Sequence, residues 1–365
     1  MANILHVIES LEFGGAEKVV VHLANSFFDE HNVFVCATKR FGELRDQLHP
    51  DIQVFCLSGK EGNDLSVTYK ILNILKEYNI DILQCHDWGV YLESVLASII
   101  YGKSRVIHTV HGDYMPYRSG VVPYIKKSLR HLIEYLFSYK VFKIVPVSRS
   151  ILDGIRDDIH IPLSKFMVIH NGIPGNSHKK YTCDKETPVK LITVGRLAPV
   201  KNHKMMLDAI ACVLSKGYKI QLTIVGDGPE YEKLVAYSNA SGINEYVEFC
   251  GFRNDIDKLL SSNDIFLLSS DYEGISIALL ESMSTGLPSI ATDVGGIPDT
   301  IQHNQTGILV EKDNYQSMCN AIIYFIENNE KLVEMGNCAR DYFCKNFHES
   351  VVLENYRQLY FSCLK

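Results

Sequence analysis

The sequence predicts two α/β domains, each built on a doubly wound parallel sheet with helices on both faces. Three observations lead to this prediction. The chain has 365 residues, whereas a single hydrophobic core stops growing at about 250–300 residues. Apolar runs of strand length alternate with helical patterns from beginning to end, as βαβ units require. A polar stretch rich in helix and strand breakers interrupts this alternation near the middle of the chain.

The first half of the chain contains seven apolar runs of strand length. Several are hydrophobic at every position, which is typical of strands covered on both faces in a parallel sheet. The predicted strands are residues 4–10, 32–38, 52–57, 81–86, 105–111, 143–148 and 166–170. Residues 16–27, between the first two strands, carry one apolar stripe at helical spacing. Residues 1–173 are therefore expected to form an N-terminal Rossmann-like domain.

A linker and a second domain follow. Residues 174–188, PGNSHKKYTCDKETP, contain two prolines and few apolar residues, and we interpret them as the linker. The alternation restarts with predicted strands at residues 189–194, 219–225, 247–252, 264–269, 288–292 and 307–311. Residues 189–345 should form a C-terminal Rossmann-like domain, and residues 346–365 a helix that crosses back to the first domain. Two such domains would face each other across a cleft, where open α/β sheets bind ligands.

Composition excludes several classes of protein. With 46% hydrophobic and 22% charged residues the chain is an ordinary globular protein. No apolar run approaches the ~20 residues of a membrane span. The start, MANILHVIES, lacks a basic segment and a cleavage site, so we interpret it as the first strand rather than a signal peptide. Ten cysteines without a CxxC pair indicate reduced thiols, and these features together predict a cytoplasmic protein.

Charge is distributed unevenly along the chain. Residues 1–186 have no formal net charge, so the whole net charge of −7 falls in residues 187–365. Nucleic-acid binding, which favours a broad basic face, is not expected. Within the first half, however, residues 103–149 carry nine lysines and arginines against Asp113 and Glu134.

Part of this basic tract, from Val122 to Phe142, has a helical period. Its apolar stripe consists of Ile125, Leu129, Leu132, Ile133 and Leu136. Its other positions include Lys126, Lys127, Arg130 and His131. Two interpretations remain open: a helix packed on the core with one solvated face, or a peripheral contact with an anionic membrane that carries a polyprenyl-diphosphate acceptor.

Two glycines, Gly14 and Gly15, follow the first predicted strand and open a helix. Glycine lets a backbone approach a ligand closely, and a helix N-terminus favours an anion. The pattern is not the GxGxxG of nicotinamide sites. A tight turn without a ligand would produce the same pattern.

Two cations follow the first strand of the second half. Arg196 comes directly after that strand, and Lys201 lies five residues further on, near a helix start. Such a pair suits a diphosphate whose negative charge grows as it departs. Either residue alone would be interpreted as a solvated surface cation. The Gly226-Asp227-Gly228 stretch predicts another sharp strand-to-helix turn beside the cleft.

The most specific pattern is a pair of glutamates eight residues apart, Glu273 and Glu281. At 100° per residue they would lie ~80° apart on a helix, so they do not share one face. We place Glu273 in the loop that meets a ligand, and Glu281 on the following helix, where it can accept hydrogen bonds from a ribose. The amides between Gly274 and Ile277 would form the helix N-terminus, which is an anion cradle.

These motifs resemble those of the retaining, nucleotide-sugar-dependent glycosyltransferases of family 4, which have the GT-B fold. The resemblance covers essentially the whole chain, including Asp293-Val294-Gly295-Gly296-Ile297-Pro298. It implies a hexosyl- or N-acetylhexosaminyltransferase that takes a sugar from a UDP- or GDP-sugar. The acceptor would be a lipid-linked oligosaccharide or a polysaccharide, in bacterial surface or exopolysaccharide biosynthesis. The enzyme would then work at the inner face of the plasma membrane.

The resemblance also implies roles for individual residues. Arg196 and Lys201 would hold the diphosphate, Glu273 the hydroxyls of the donor sugar and Glu281 the ribose. His111 matches the active-site histidine, which touches the donor sugar near its anomeric centre. The other donor-binding residues that it implies are Gly14, Gly15, Gly226, Phe252, Arg253, Gly274, Ile275, Ser276 and Ile277.

Neither a metal nor a cofactor is expected, because cations and amides around the diphosphate stabilise its departure. The one D-x-D pattern, Asp255-Ile256-Asp257, is interpreted as a helix start. The family is described as retaining through front-face attack, with the leaving phosphate taking the acceptor's proton. The alternative is a GT-B-fold nucleotide-sugar epimerase, which needs no acceptor. A periplasmic-type sugar-binding protein is a third class, which the missing signal peptide and the cationic pair disfavour.

Overall fold

A computed structural model describes residues 1–60, 62, 64–112, 121–175 and 188–365, with the side chains of residues 121–126 outside the description. The chain divides into two compact units. The first consists of Met1–Asn171 together with Val352–Lys365, and the second is Gly172–Val351. Most of the expected linker, residues 174–188, lies outside the described residues, so the boundaries set from the sequence stay predictions.

Six parallel strands form the sheet of the first unit, in the spatial order β3-β2-β1-β4-β5-β6. The strands are β1 (Asn3–Ser10), β2 (Asn32–Arg40), β3 (Gln53–Cys56), β4 (Ile82–His86), β5 (Arg105–Val110) and β6 (Val141–Pro146). The central strand β4 is buried at all of its positions, as a sheet covered on both faces requires. This order is that of the doubly wound Rossmann sheet.

The helices of the first unit alternate with its strands. They are α1 (Gly15–Phe27), α2 (Leu65–Glu77), α3 (Tyr91–Tyr101), α4 (Val121–Ser138) and α5 (Arg149–Asp158). Helix α1 buries the stripe that its sequence predicts, from Val19 and Val20 to Phe27. The side chain of Asp64 caps α2, and that of Ser148 caps α5.

The second unit repeats the same strand order in its own sheet, β12-β11-β10-β7-β8-β9, again with all neighbours parallel. Its strands are β7 (Val189–Val194), β8 (Ile220–Val225), β9 (Val247–Gly251), β10 (Ile265–Leu268), β11 (Ser289–Thr292) and β12 (Gly307–Val310). Its helices are α6 (His203–Ser215), α7 (Tyr231–Ala240), α8 (Ile256–Ser261), α9 (Ile277–Ser284), α10 (Ile297–Thr300), α11 (Tyr315–Glu327) and α12 (Asn329–Asn346). The predicted strands of this half are all confirmed to within two residues.

One predicted strand, residues 166–170, is wrong. Only Phe166 forms a bridge, with Ile144 of β6. Beyond it, the amides of Met167 and Ile169 donate to Ile144 and Pro146 at 3.0 and 3.3 Å. The apolar run therefore follows the edge of the sheet without forming a regular ladder.

The expectation of reduced thiols is wrong for one pair of cysteines. Cys212 on α6 and Cys319 on α11 form a disulfide. They are separated by 107 residues, and they meet because the two helices pack together in the second unit. Cysteine spacing contains no information about such a contact.

The last helix, α13 (Glu349–Cys363), carries the chain into the first unit. The hydroxyl of Tyr360 donates to Oε1 of Gln84 on β4 at 2.6 Å, and both side chains are buried. Arg357 donates two hydrogen bonds, of 2.9 and 2.6 Å, to the carboxylate of Glu30. Apolar packing and a bidentate ion pair thus attach α13 to the first sheet.

Within the described ranges, we find no helix with both the length and the apolar character that crossing a bilayer requires.

Candidate functional site

The predicted motifs lie where each sheet reverses its strand order. In the first unit this point is between β1, which precedes Gly14 and Gly15, and β4, which ends at His86 and precedes Asp87. In the second unit it is between β7 and β10, which precede Arg196 and Glu273. Open α/β sheets bind ligands outside the carboxyl ends of the strands at such switch points. The topology therefore places both sets of motifs where a ligand is expected.

An ion pair between Lys201 and Glu273 is the central contact of the second unit's site. Nζ of Lys201 lies 2.5 Å from Oε2 of Glu273, and the side chains are 21% and 13% exposed. The hydroxyl of Ser270 donates to the same carboxylate oxygen at 3.0 Å. The sequence predicted both charged residues as site residues, but it did not predict that they contact each other.

The loops that carry this pair are tied together by hydrogen bonds. Asn202, which caps α6, has a left-handed backbone with φ 45°. Its side-chain amide donates to Asp271 at 2.9 Å and to Asp313 at 3.0 Å. The amide of Asp271 donates to the carbonyl of Val200 at 2.8 Å. Lys201 is thereby held beside the loop that contains Glu273.

Gly295 is a position in the stretch from Asp293 to Pro298 at which the fold requires glycine. Gly295 has φ 53°, and a Cβ atom at this position would overlap the carbonyl oxygen of Glu273. The amide of Gly296 donates to that same carbonyl at 2.9 Å. The glycine turn thus packs directly against the backbone of Glu273 and supports it.

Arg196 and the Gly226 turn follow neighbouring strands and are packed together. Arg196 is exposed, and among the described residues it forms no ion pair. Gly226 has φ 134°, and a Cβ there would overlap the carbonyl oxygen of Gly195. Leu197 donates to the carbonyl of Asp227 at 2.9 Å. Gly226 therefore holds the loop of Arg196 in place.

Helix α9 begins later than the sequence predicted. Ser276 is its capping residue and Ile277 its first residue, so Gly274 and Ile275 lie in the loop before it. The hydroxyl of Ser276 accepts a hydrogen bond from Leu279. Of the amides expected to form the helix N-terminus, those of Gly274 and Ile275 therefore belong to the loop, and those of Ser276 and Ile277 to the start of the helix. Glu281 lies within the helix and is half-buried.

Phe252 and Arg253 follow β9. The ring of Phe252 is 59% exposed. Arg253 donates two hydrogen bonds to the carboxylate of Asp255, at 2.8 and 2.7 Å. Asp255 directly precedes α8, so the D-x-D pattern lies at the start of a helix, as predicted.

Gly14 and Gly15 open α1, yet the fold itself does not require glycine at either position. Gly14 caps the helix with φ −161°, an extended conformation that other residues adopt. A Cβ atom at Gly14 would meet only the flexible carboxyl group of Glu17, and a Cβ at Gly15 would meet nothing within 4 Å. The space beside Gly15 agrees with a close approach by a ligand.

His111 follows β5 and lies in a group of buried histidines that the sequence did not predict. Its Nε2 is 3.0 Å from Nδ1 of His86, the last residue of β4. Nε2 of His86 is in turn 3.2 Å from Nδ1 of His6 on β1. Burial lowers the pKa of His6 to about 4 and that of His111 to about 4, the latter against an opposing contribution from the Asn171 side chain. These imidazoles are neutral at pH 7.

Asp87 lies beside His111 in the candidate site, and the sequence did not predict it. It has an unusual φ of 62°, and its carboxylate accepts a hydrogen bond from the amide of His111 at 2.8 Å. Burial raises the pKa of Asp87 to about 7. One signal was available in the sequence. His86 ends β4 and Asp87 follows it, and β4 neighbours β5, the strand before His111, so polar residues lie at the carboxyl ends of two adjacent strands.

The apolar stripe of α4 faces away from the core of its unit. Leu129, Leu132 and Leu136 are 55%, 53% and 56% exposed. The interpretation of these leucines as core-packed is therefore wrong. Ile133 is half-buried, while Ile125 belongs to the part of the helix whose side chains are outside the description.

Polar side chains of α4 are instead turned toward the unit. Arg130 pairs with Glu134 at 3.0 Å, with only 15% and 11% of the two side chains exposed. The guanidinium of Arg130 also lies 5.0 Å from the ring centroid of Trp88. Lys127 pairs with Asp158 on α5 at 2.9 Å. The helical period of the apolar stripe on α4 was predicted correctly. Periodicity alone does not show which face of the helix packs against the rest of the unit.

Comparison with known proteins identifies the family. Residues 13–175 match the family described as Glycosyltransferase Family 4, and residues 177–342 match the one described as Glycosyl transferases group 1. The O-antigen biosynthesis glycosyltransferase WbnH of Escherichia coli is 30% identical over 318 residues, which cover 85% of this chain and 86% of the relative. The chain belongs to the family 4, group 1 glycosyltransferases.

Two further proteins are similar to this glycosyltransferase over nearly its whole length. The UDP-Gal:alpha-D-GlcNAc-diphosphoundecaprenol alpha-1,3-galactosyltransferase of Escherichia coli is 25% identical over 364 residues, covering 92% of this chain and 91% of the relative. The crystal structure of HepE of Anabaena in complex with UDP matches with a TM-score of 0.85 at 20% identity, covering 99% of this chain and 100% of HepE. The predicted α/β, GT-B fold with two Rossmann-like sheets is confirmed.

The contact of Gly295 with Glu273 leads to a prediction about the stability of the glycosyltransferase. Gly295→Ala should raise the free energy of folding by about 3 kcal/mol, because it adds an overlap with the Glu273 backbone to the cost of a left-handed residue. Gly217→Ala is the matched control: Gly217 has φ 83° but open space around its Cβ position. The control should cost about 1–2 kcal/mol. Urea unfolding followed by circular dichroism measures both, and equal losses would contradict the packing role.

The buried histidines lead to a second prediction, on acid stability. Among the described residues of the first unit, the histidines whose pKa burial lowers are His6, His31, His86, His108 and His111. Because the unfolded chain binds protons near pH 6.5 and the folded chain binds them at lower pH, stability falls as pH falls below about 6.5. Each histidine contributes up to ~1.4 kcal/mol per pH unit.

Asp87 should act in the opposite direction, since its raised pKa makes the folded state bind a proton between its ordinary pKa and about 7. Asp87→Asn is therefore expected to make the loss of stability between pH 6.5 and 4 steeper. Trp88 is the single tryptophan and lies in the first unit, so its fluorescence reports unfolding of that unit. A stability that stays constant across this pH range would refute the prediction.

Proposed function

We propose that this protein is a retaining glycosyltransferase of bacterial surface or exopolysaccharide biosynthesis. It transfers a hexosyl or N-acetylhexosaminyl group from a nucleotide-diphosphate sugar to a lipid-linked or polysaccharide acceptor. The observation that carries the proposal is the contact of Lys201 with Glu273 at the switch point of the second sheet. There, a cation suited to a diphosphate lies next to a carboxylate suited to sugar hydroxyls. Family membership favours this transferase over an epimerase.

The donor that we propose is a UDP-sugar. HepE is described in complex with UDP, and the galactosyltransferase of Escherichia coli is named for UDP-Gal. Glu281, one turn inside α9, would accept the ribose hydroxyls. The exposed ring of Phe252 offers a face on which a base can stack. Arg253 would contact the base while Asp255 holds its guanidinium.

Departure of the diphosphate is the step that the charged residues would assist. Cleavage of the C–O bond at the anomeric carbon leaves positive charge on the sugar and negative charge on the diphosphate. Arg196, Lys201 and the amides between Gly274 and Ile277 would stabilise that negative charge in a fixed arrangement. Glu273 keeps Lys201 in position and offers oxygen atoms to the donor sugar's hydroxyls. This mechanism uses neither a metal nor a cofactor.

Retention without a covalent intermediate on the enzyme requires attack from the face that the diphosphate leaves. The acceptor hydroxyl would approach on that face, and its proton would pass to a departing phosphate oxygen. His111 would contact the donor sugar near the anomeric carbon as a neutral imidazole, since burial lowers its pKa. Gly14, Gly15 and Gly226 would complete the donor site, with the unfilled space at Gly15 admitting a close backbone contact.

A polyprenyl-diphosphate-linked acceptor is the one that we propose. The relative from Escherichia coli is named for a diphosphoundecaprenol substrate. Such an acceptor is anchored in a bilayer, and α4 carries three exposed leucines on one face. That face would lie in the interface of the inner leaflet, so the enzyme would be located at the inner face of the plasma membrane.

The donor site is tested by two substitutions. Glu273→Ala and Lys201→Ala should each reduce sugar transfer by about 100- to 1,000-fold, because each removes a preorganised charge. A thermal-shift panel of nucleotide-sugars first selects the donor. Transfer to a lipid-linked acceptor is then measured, and the anomeric configuration of the product is determined by NMR.

Two matched controls distinguish the loss of a site residue from the general effect of removing a surface charge. Lys204 lies on the surface of α6 and pairs with Asp208 at 3.0 Å, whereas Glu230 pairs with Lys233 at 2.7 Å. Lys204→Ala and Glu230→Ala should retain nearly full activity. Near-normal transfer by a folded Glu273→Ala protein would show that the proposed site is wrong.

The membrane contact is tested by liposome flotation. Replacing Leu129, Leu132 and Leu136 together by Ser should reduce binding to anionic vesicles at least tenfold, since each leucine loses about 1.5–3 kcal/mol of burial. Leu65 and Tyr69 on α2 are 68% and 65% exposed, and their replacement by Ser is the control.

Charge is tested separately with Lys126, Lys127 and Arg130 replaced by Gln. Because Lys127 and Arg130 already pair with carboxylates of the protein, we expect a smaller effect than that of the leucines. Equal flotation of the leucine variant and the wild type, or no preference for anionic lipid, would remove the membrane proposal.

A further inference from the structure

The backbone of Asp87 has a conformation that suits glycine better than aspartate. Its φ is 62° and its ψ is 174°, a combination that is populated almost only by glycine. A glycine at this position would remove the strain, yet the chain has an aspartate. Strained residues of this kind cluster at functional sites, so we looked for what the side chain of Asp87 contributes.

Contacts with the neighbouring strand maintain the strained conformation. The amide of Asp87 donates to the carbonyl of Thr109 on β5 at 2.8 Å. The ring of His108, on the same strand, interacts with the backbone of Asp87. Strands β4 and β5 pair in parallel along their length, and Asp87 directly follows β4. The turn after β4 is therefore attached to β5, which fixes the direction of the Asp87 side chain.

The carboxylate of Asp87 holds the backbone that follows β5. Its Oδ1 accepts a hydrogen bond from the amide of His111 at 2.8 Å, and the amide of Gly112 also donates to the carboxylate. Both His111 and Gly112 are half-buried, and a Cβ atom at Gly112 would meet nothing within 4 Å. Two consecutive amides are thus bound by one carboxylate, in a turn that borders open space.

Charged and titratable groups from several elements surround this carboxylate. Those among the described residues are Glu9 on β1, Glu17 on α1, His108 on β5, His111 after β5 and Arg130 on α4. The two histidines are neutral at pH 7, because burial lowers their pKa. Arg130 is thus the cation that favours ionisation of Asp87, whereas the two glutamates oppose it.

The balance of these effects makes the ionisation of Asp87 sensitive to pH near neutrality. Burial raises the pKa of Asp87 to about 7, and Glu9 raises it further, against the two amides and Arg130, which lower it. An ionised carboxylate has two acceptor oxygens, whereas protonation converts one of them into an O–H donor. The ionised form can therefore hold both amides of the turn, and the protonated form holds one of them less well.

We propose that Asp87 is a positioning residue, whose ionised carboxylate holds the backbone of the His111–Gly112 turn in the geometry that sugar transfer requires. This inference rests on the proposed function insofar as the turn is taken to line the donor site. A displacement of about 1 Å in a group that contacts the reacting atoms can reduce a rate by about 100-fold. Because Asp87 acts through the turn, its loss should lower kcat more than it raises the donor KM.

The amide signal of His111 measures the contact directly. The full-length protein is labelled with ¹⁵N-histidine, and ¹H–¹⁵N TROSY spectra are recorded from pH 6 to 9. The signal is assigned by its absence from a His111→Gln variant. It should titrate with a midpoint near pH 7 in the wild type, because the carboxylate that accepts this hydrogen bond ionises there. In Asp87→Asn the signal should not titrate.

This measurement does not depend on activity, so it tests the contact even if no sugar transfer is found. A His111 amide that does not respond to pH in the wild type would overturn the proposal and leave the proposed function intact. A titrating amide in a protein that transfers no sugar would instead count against the proposed function.

Kinetics test the positioning role with two variants of Asp87. Asp87→Gly removes the carboxylate and also relieves the backbone strain, so the protein should fold. We expect its kcat at pH 8 to fall by about 10- to 100-fold, with little change in the donor KM. Asp87→Asn keeps one acceptor oxygen, as the protonated carboxyl does. The ratio of the wild-type kcat to that of Asp87→Asn should therefore rise with pH through about 7 and become constant above it.

Asp81→Asn is the matched control. Asp81 lies at the opposite end of β4, where its carboxylate accepts a hydrogen bond from the amide of Asn3 at 2.8 Å. The control should keep the wild-type kcat from pH 6 to 9. If Asp87→Asn loses no more activity than Asp81→Asn, or if the ratio does not change with pH, the positioning role is wrong. If Asp87→Gly does not fold, the NMR titration and the Asp87→Asn kinetics decide.

Discussion

The contact between Lys201 and Glu273 is the interaction on which the second unit's site depends. The two residues are far apart in sequence, and they meet because β7 and β10 are neighbours at the point where the strand order reverses. A partly buried ion pair stabilises little unless its remaining hydrogen-bond capacity is satisfied. Here Ser270 donates to the carboxylate, and the left-handed Asn202 ties the two loops together. The unfavourable left-handed backbone of Asn202 is thus maintained by the hydrogen bonds that its side chain donates.

The two units use the same strand order to support different electrostatic environments. The second unit presents cations and half-buried carboxylates in loops that reach solvent. The first unit presents neutral imidazoles, of which His6 and His86 are almost fully buried. Charged groups attract and hold a charged ligand, whereas buried neutral donors and acceptors bind with fixed geometry and without a net charge. One topology therefore supports a charged environment in one unit and a neutral, buried one in the other, and the residues at the ends of the strands determine which.

Much of the fold could be predicted because strands buried on both faces appear in the sequence as uninterrupted runs of apolar residues. The run 189–194, for example, coincides with β7. Candidate site residues such as Lys201 and Glu273 could be proposed one at a time from the sequence. Their contact depends on the order of the strands in the sheet, which the apolar runs do not reveal. The disulfide between Cys212 and Cys319 was missed for the same reason. His86 was overlooked because a histidine at the end of a strand has no distinguishing pattern until its neighbours are known.

The attachment of α13 to the first sheet has a consequence for synthesis of the chain. The second unit is one continuous segment, Gly172–Val351, whereas the first unit also needs Val352–Lys365. Its buried Tyr360 and its ion pair from Arg357 to Glu30 come from residues 352–365, which leave the ribosome after the second unit. Domains usually fold in the order in which they emerge. In this protein, the unit that begins to be translated first can be completed only after the whole second unit has been translated.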